Sequence, residues 1–79
     1  MKAKIRITLK KGVLDPQGKA IAGALGSLGF TGVENVRQGK YIELEMTETD
    51  VETARSQITS MCEKLLANTI IENYDIELA

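Results

Sequence analysis

The chain contains no histidine and no tryptophan. Without histidine it lacks the side chain most used for proton transfer near neutral pH, which is also the commonest metal ligand. Its one cysteine, Cys62, can form neither a disulfide within the chain nor a CxxC redox or zinc motif, and a reducing, cytoplasmic compartment suits it. The aromatics are Phe30, Tyr41 and Tyr74, too few for a base-stacking platform. Ten Lys and Arg nearly cancel eleven Asp and Glu, so a net charge of −1 gives no general attraction to nucleic acid or anionic lipid. No apolar run approaches the roughly 18 residues of a membrane span. Met1 to Lys10 alternates charged and apolar residues, unlike a signal peptide. The expectation is a soluble cytoplasmic protein with neither nucleic acid nor membrane as partner.

What is present is a globular composition, 43% hydrophobic and 27% charged over 79 residues. That length makes residues 1–79 a single small domain, and such a domain buries only about 60% of the surface its unfolded chain exposes. Support from a partner is therefore expected.

Ala3, Ile5, Ile7 and Leu9 alternate with Lys2, Lys4, Arg6, Thr8 and Lys10, the period of a half-buried strand. Asp15-Pro16 starts a helix, since the carboxylate can accept from first-turn N–H groups and proline suits the first helical position. Ile21, Ala24, Leu25 and Leu28 continue one face to a Gly29 stop, giving a helix over 15–28. Val33 to Thr47 reads as extended. Gly39 makes it either a hairpin with a turn or one long strand with a bulge. Thr49-Asp50-Val51-Glu52 fits a capping box, and Val51, Ala54, Ile58, Met61, Cys62 and Leu65 follow at helical spacing to about Ala67. Ile70 to Leu78 is the last strand, with Tyr74, Ile76 and Leu78 inward.

This order, β-α-β-β-α-β, predicts an α+β two-layer sandwich, an antiparallel sheet with two helices on one face. In the usual strand order of that pattern the first strand is central, which places Lys4 and Arg6 beside Glu43, Glu45, Asp75 and Glu77.

Few residues offer chemistry. Gly18-Lys19 and Gly39-Lys40 lack the second glycine and the hydroxyl residue of a phosphate loop. Gly23, Gly26, Gly29 and Gly32 follow no strand in a dinucleotide fingerprint. Glycine inside a helix costs about 1 kcal/mol against alanine, so Ala20, Gly23, Ala24 and Ser27 read as a narrow ridge, against either the chain's own sheet or a partner. Cys62 has no histidine to activate it and reads, like Met46 and Met61, as core. Lys10 to Lys19 and Arg37 to Lys40 concentrate cations and backbone donors. Asp15, Gln17, Lys19, Arg37, Gly39 and Lys40 are the candidate partner contacts, with Arg37 and Lys40 expected to point outward.

These segments resemble those of PurS, the small subunit of phosphoribosylformylglycinamidine (FGAM) synthase where that enzyme is split into three polypeptides. The stretches are Val13 to Ala20, Val36 to Glu43, Met61 to Asn68 and Ile71 to Glu77, in family order along nearly the whole chain. Thr69 departs from the proline usual there. The resemblance implies a PurS-like domain related to the ferredoxin-like fold, with no catalytic, cofactor or metal residues of its own. Its implied role is to bridge a glutaminase subunit of the PurQ type and a large subunit of the PurL type, which uses ATP and magnesium to convert formylglycinamide ribonucleotide to formylglycinamidine ribonucleotide in purine biosynthesis. It also implies homodimers or tetramers. The competing reading is a small-molecule sensor of ACT-like topology, which shares the element order.

Overall fold

The computed structural model describes Met1–Ala79. Three strands and two helices follow in the order β1 (Lys2–Leu9), α1 (Pro16–Ser27), β2 (Gly39–Glu45), α2 (Val51–Met61) and β3 (Glu72–Leu78), with α2 running on into one π-helical turn, Cys62–Leu66. The sheet is antiparallel in the order β2-β1-β3. The α+β class and the central first strand are as the sequence predicts.

The register explains the sheet's two faces. Ala3 lies opposite Leu44 and Leu78, Ile5 opposite Ile42 and Ile76, and Ile7 opposite Tyr74, so the alternating residues share one apolar face. Ala3, Ile5 and Ile7 are fully buried there beneath Ile58 and Cys62 of the α2 segment. On the other face Lys2 pairs with Glu43 at 3.1 Å, Lys4 with Glu77 at 3.8 Å and Arg6 with Asp75 at 3.7 Å. Glu45 stands opposite Lys2 but makes no ion pair. Arg6 also lies over the Tyr41 ring, 5.8 Å from its centroid. A basic strand between two acidic ones keeps this open face wet and nearly neutral.

Four expectations are corrected. First, Val33 to Gln38 is not a strand, so β2 is neither half of a hairpin nor a long bulged strand. The ladder's last rung is Thr8 opposite Gly39, and β1 ends one residue later, at Leu9, too soon to pair with Val33 or Val36. Gly39 serves close approach instead: a Cβ there would stand 2.5 Å from the Ile7 carbonyl oxygen.

Second, α2 alone covers the sheet. The only buried residue of α1 is Gly18 in its first turn, and Ile21 and Leu28 lie exposed. An added Cβ on Gly23 or Gly26 would meet nothing, so these glycines do not serve packing on the chain's own sheet. The helix closes with Gly29 at φ 97 and the Phe30 N–H on the Leu25 carbonyl at 3.0 Å, a Schellman-type ending. The chain then returns through Phe30 to Gln38. This arm stretches the molecule to 48 × 24 × 15 Å, with a radius of gyration of 16.0 Å. A compact chain of this length would have about 12 Å.

Third, the capping box does not form. Asp50, not Thr49, caps α2, its Oδ2 accepting from the Thr53 N–H at 2.9 Å and the Thr53 hydroxyl at 2.6 Å. The regular helix ends at Met61, and the wider π turn shifts the phase of the residues within it. Cys62 stays buried, but Leu65 is 82% exposed and Met61 is partly exposed rather than core.

Fourth, β3 starts at Glu72, because Asn68 to Ile71 forms a turn. The Ile71 and Glu72 N–H groups donate to the Asn68 carbonyl, and the Asn68 N–H donates to Glu72 Oε1 at 2.7 Å. Thr69 thus sits in a turn closed by its neighbours, without a proline.

Candidate functional site

The candidate contacts gather where the arm leaves the sheet, and Asp15 is the reason. Its Oδ1 accepts from the Gly18 N–H at 2.8 Å and caps α1; its Oδ2 accepts from the Gln38 N–H at 2.7 Å, at the end of the returning segment. Only 5% exposed, the carboxylate clasps both ends of the arm. The Gln38 and Gly18 N–H groups, then the nearby Arg37 charge, hold its pKa below the ordinary value of 3.8 against the opposing effect of burial. Gly18 belongs to the same clasp, because a Cβ there would run into the Val36 carbonyl oxygen.

Arg37 does not aim outward as expected. Its guanidinium donates to the Val13 carbonyl at 2.8 Å and the Lys10 carbonyl at 3.1 Å, bracing the loop between β1 and α1. Lys40 remains well exposed and reaches Glu72 Oε2 at 3.6 Å. Asp15, Gln17, Gly39 and Lys40 line one shallow depression of about 190 Å³ together with Leu9, Gln38 and Glu72. Lys19 lies on the exposed side of α1, outside it.

A second open depression, of about 370 Å³, adjoins through Glu72 and is lined by Lys10, Glu63, Thr69, Asn73 and Tyr74. The reading of the sequence missed Glu72, which serves Lys40, the Asn68 turn and both depressions. No local pattern marks it, because its partners come from the turn before β3 and from Lys40 across the sheet. Burial, then Glu63, pushes the Tyr74 hydroxyl and the Cys62 thiol up, so neither ionises readily. No cluster of three or more metal-ligating side chains is present, and no helix is long and apolar enough to cross a membrane.

A shelf of paired charges and backbone donors, shallow and open, can hold another protein's polar surface more readily than it can enclose a small substrate. The fold is that of a small α+β domain, a three-stranded antiparallel sheet with two helices. The PurS model, described as phosphoribosylformylglycinamidine (FGAM) synthase, matches residues 2–79. The chain is 51% identical over 75 residues to the synthase subunit PurS of Synechocystis sp., covering 95% of this chain and 75% of that one. The PurS structure from Bacillus subtilis superposes with a TM-score of 0.85 at 46% identity, over 96% of this chain and 94% of that one. A chain of the PurLQS structure from Thermotoga maritima does so with 0.88 at 32% identity, over 96% and 93%. The chain belongs to the PurS family of phosphoribosylformylglycinamidine synthase subunits. None of these comparisons favours the ACT-like sensor.

Proposed function

We propose that this chain is the non-catalytic bridging subunit of a multi-chain phosphoribosylformylglycinamidine synthase. It joins a PurL-type subunit, which uses ATP and magnesium, to a PurQ-type glutaminase, so that ammonia from glutamine reaches formylglycinamide ribonucleotide. The observation that carries this reading is the TM-score of 0.88 to a chain of a PurLQS assembly, over 93% of that chain. The sequence supports it: there is no histidine, and the single thiol is buried with its pKa raised. The chain itself binds no cofactor, works in the cytoplasm and assembles as a homodimer or tetramer.

Docking is proposed on the clasp shelf and on the exposed side of α1 beside it. Gln17, Lys19 and Lys40 make the contacts; Asp15, Arg37 and Gly39 hold the backbone that presents them. The test is reconstitution. The chain alone has no glutaminase, ATPase or amidotransferase activity, and its addition to the two other subunits raises glutamine-dependent turnover far more than ammonia-dependent turnover. Equal dependence of both activities on this chain would overturn the bridging role.

A further inference from the structure

The net charge of −1 hides a separation of charge along the sheet. At the C-terminal end of β1, Lys10, Lys11, Lys19, Arg37 and Lys40 gather around the loop to α1 and the start of β2. Of these only Lys40 makes an ion pair, with Glu72 at 3.6 Å. Asp15, the acid among them, is buried and its oxygens are taken by two N–H groups. At the opposite end of the sheet Glu45, Glu48, Asp50 and Glu52 follow one another with no cation from Tyr41 to Ala54, and none of the four makes an ion pair. β1 has eight residues, so the two ends lie about 24 Å apart. That is about three screening lengths at physiological salt, and each end shows its own sign to whatever approaches it.

The basic end also carries apolar anchors. Leu14, in the loop itself, is 63% exposed. Ile70 is 84% exposed in the turn before β3, where the neighbouring Ile71 carbonyl accepts from the Lys10 N–H at 2.8 Å. The backbone beneath them is braced, because Arg37 donates to the Val13 and Lys10 carbonyls. Exposed apolar side chains rimmed by charge and mounted on a braced backbone have the make-up of a protein interface, and little order is left to impose on binding. The depressions at this end are too open to enclose a small ligand.

We infer that this basic end docks a carboxylate-rich surface of one of the two subunits that the chain bridges, with an apolar seat on that surface for Leu14 and Ile70. The inference rests on the bridging role proposed above and supplies the chemistry of one of its two contacts. Charge complementarity selects the occupant: Lys10, Lys11 and Lys19 have no carboxylate partner within the chain, so an acidic surface is drawn to them. The acidic end repels that same surface. The partner is thereby steered to one end, and the other end stays clear for the second subunit.

Binding of the full chain to each of the two other subunits, measured separately over a series of salt concentrations, tests this. Lys10→Gln combined with Lys11→Gln should weaken binding to one subunit by about tenfold at low salt and flatten its salt dependence, with binding to the other subunit unchanged. Glu45→Gln combined with Glu52→Gln, the opposite change of charge at the far end, should leave the first subunit bound as tightly as before. Leu14→Asp gives a second route: the same subunit should bind more weakly at every salt concentration, with circular dichroism unchanged. Unchanged binding of the lysine variant overturns the inference, and so does an equal loss for both subunits. Normal assembly with a raised KM for the ribonucleotide also overturns it, since the cations would then serve the substrate's phosphate. A wild-type chain that binds neither subunit refutes the bridging role itself, whereas wild-type binding that ignores these substitutions refutes only the basic contact.

Discussion

The sheet with α2 and the arm formed by α1 and its return segment obey different rules within one small chain. In the body, three alternating residues of β1 are fully buried under one helix, and every strand has a neighbour. In the arm, apolar residues are exposed, Gly23, Gly26 and Gly32 have room around them, and the attachment is polar: one carboxylate and one guanidinium. Hydrophobic burial decides the body's stability, whereas a few directional bonds decide the arm's position. Substitutions should therefore differ in kind between the two regions, and five of them break or sharpen the contrast.

The largest effect is expected in the body. Ile58→Ala opens a cavity in a fully buried position and should cost about 2 to 5 kcal/mol in denaturant titration, a large share of the roughly 4 to 12 kcal/mol expected for a domain this size. A cost no greater than that of an exposed site would mean that α2 is not what closes the core.

Next comes Gly39→Ala at the junction. The added methyl meets the Ile7 carbonyl, which cannot move without disturbing the last rung, so a loss of about 1 to 3 kcal/mol is expected. In contrast, Gly26→Ala in the arm has open space and removes a helix-interior glycine. It should raise stability by up to about 1 kcal/mol. The same change in residue type thus has opposite signs in the two regions, which paired thermal melts would read directly.

Asp15→Asn tests the clasp by its pH dependence. The folded-state pKa is lowered, so the carboxylate's contribution is fully present above its ordinary value of 3.8 and is lost as pH falls through the lower folded value. Wild type should therefore melt above the variant near neutrality, and the gap should close in acid. A gap that is constant down to strongly acid pH would mean that the ionised form is not what the two N–H groups hold.

Cys62→Ala should cost a modest amount, about 1 kcal/mol or somewhat more from a lost buried sulfur contact, with assembly unaffected. Rapid labelling of the native thiol by a bulky reagent would contradict its burial.

Much of this structure is legible in the sequence, and the failures have a common cause. Alternation in Lys2 to Lys10 marks the central strand because period two registers burial on one face directly. Asp15-Pro16 marks the start of α1 because capping is local. The illegible features depend on where an element goes. Ile21, Ala24, Leu25 and Leu28 form an apolar stripe whether they cover their own sheet or another chain's. Val33 and Val36 look like strand residues, but a strand also needs a neighbour, and β1 ends before it could supply one. Leu65 fits the buried face of a regular helix, and the π turn that moves it outward leaves no mark in the hydrophobic period. Arg37 looks free because the carbonyls it holds lie 24 and 27 residues away.

Because α1 is held only at its first turn, the clasp acts as a pivot. A twelve-residue helix pivoting at its first turn carries its tip through about 3 Å for every 10° of tilt. Small changes in two hydrogen bonds at Asp15 are thereby magnified at Leu28, far from where they occur. Sequence drift around the clasp can consequently retune the spacing of whatever meets the helix tip while leaving the sheet untouched, and so adjust quaternary geometry separately from folding.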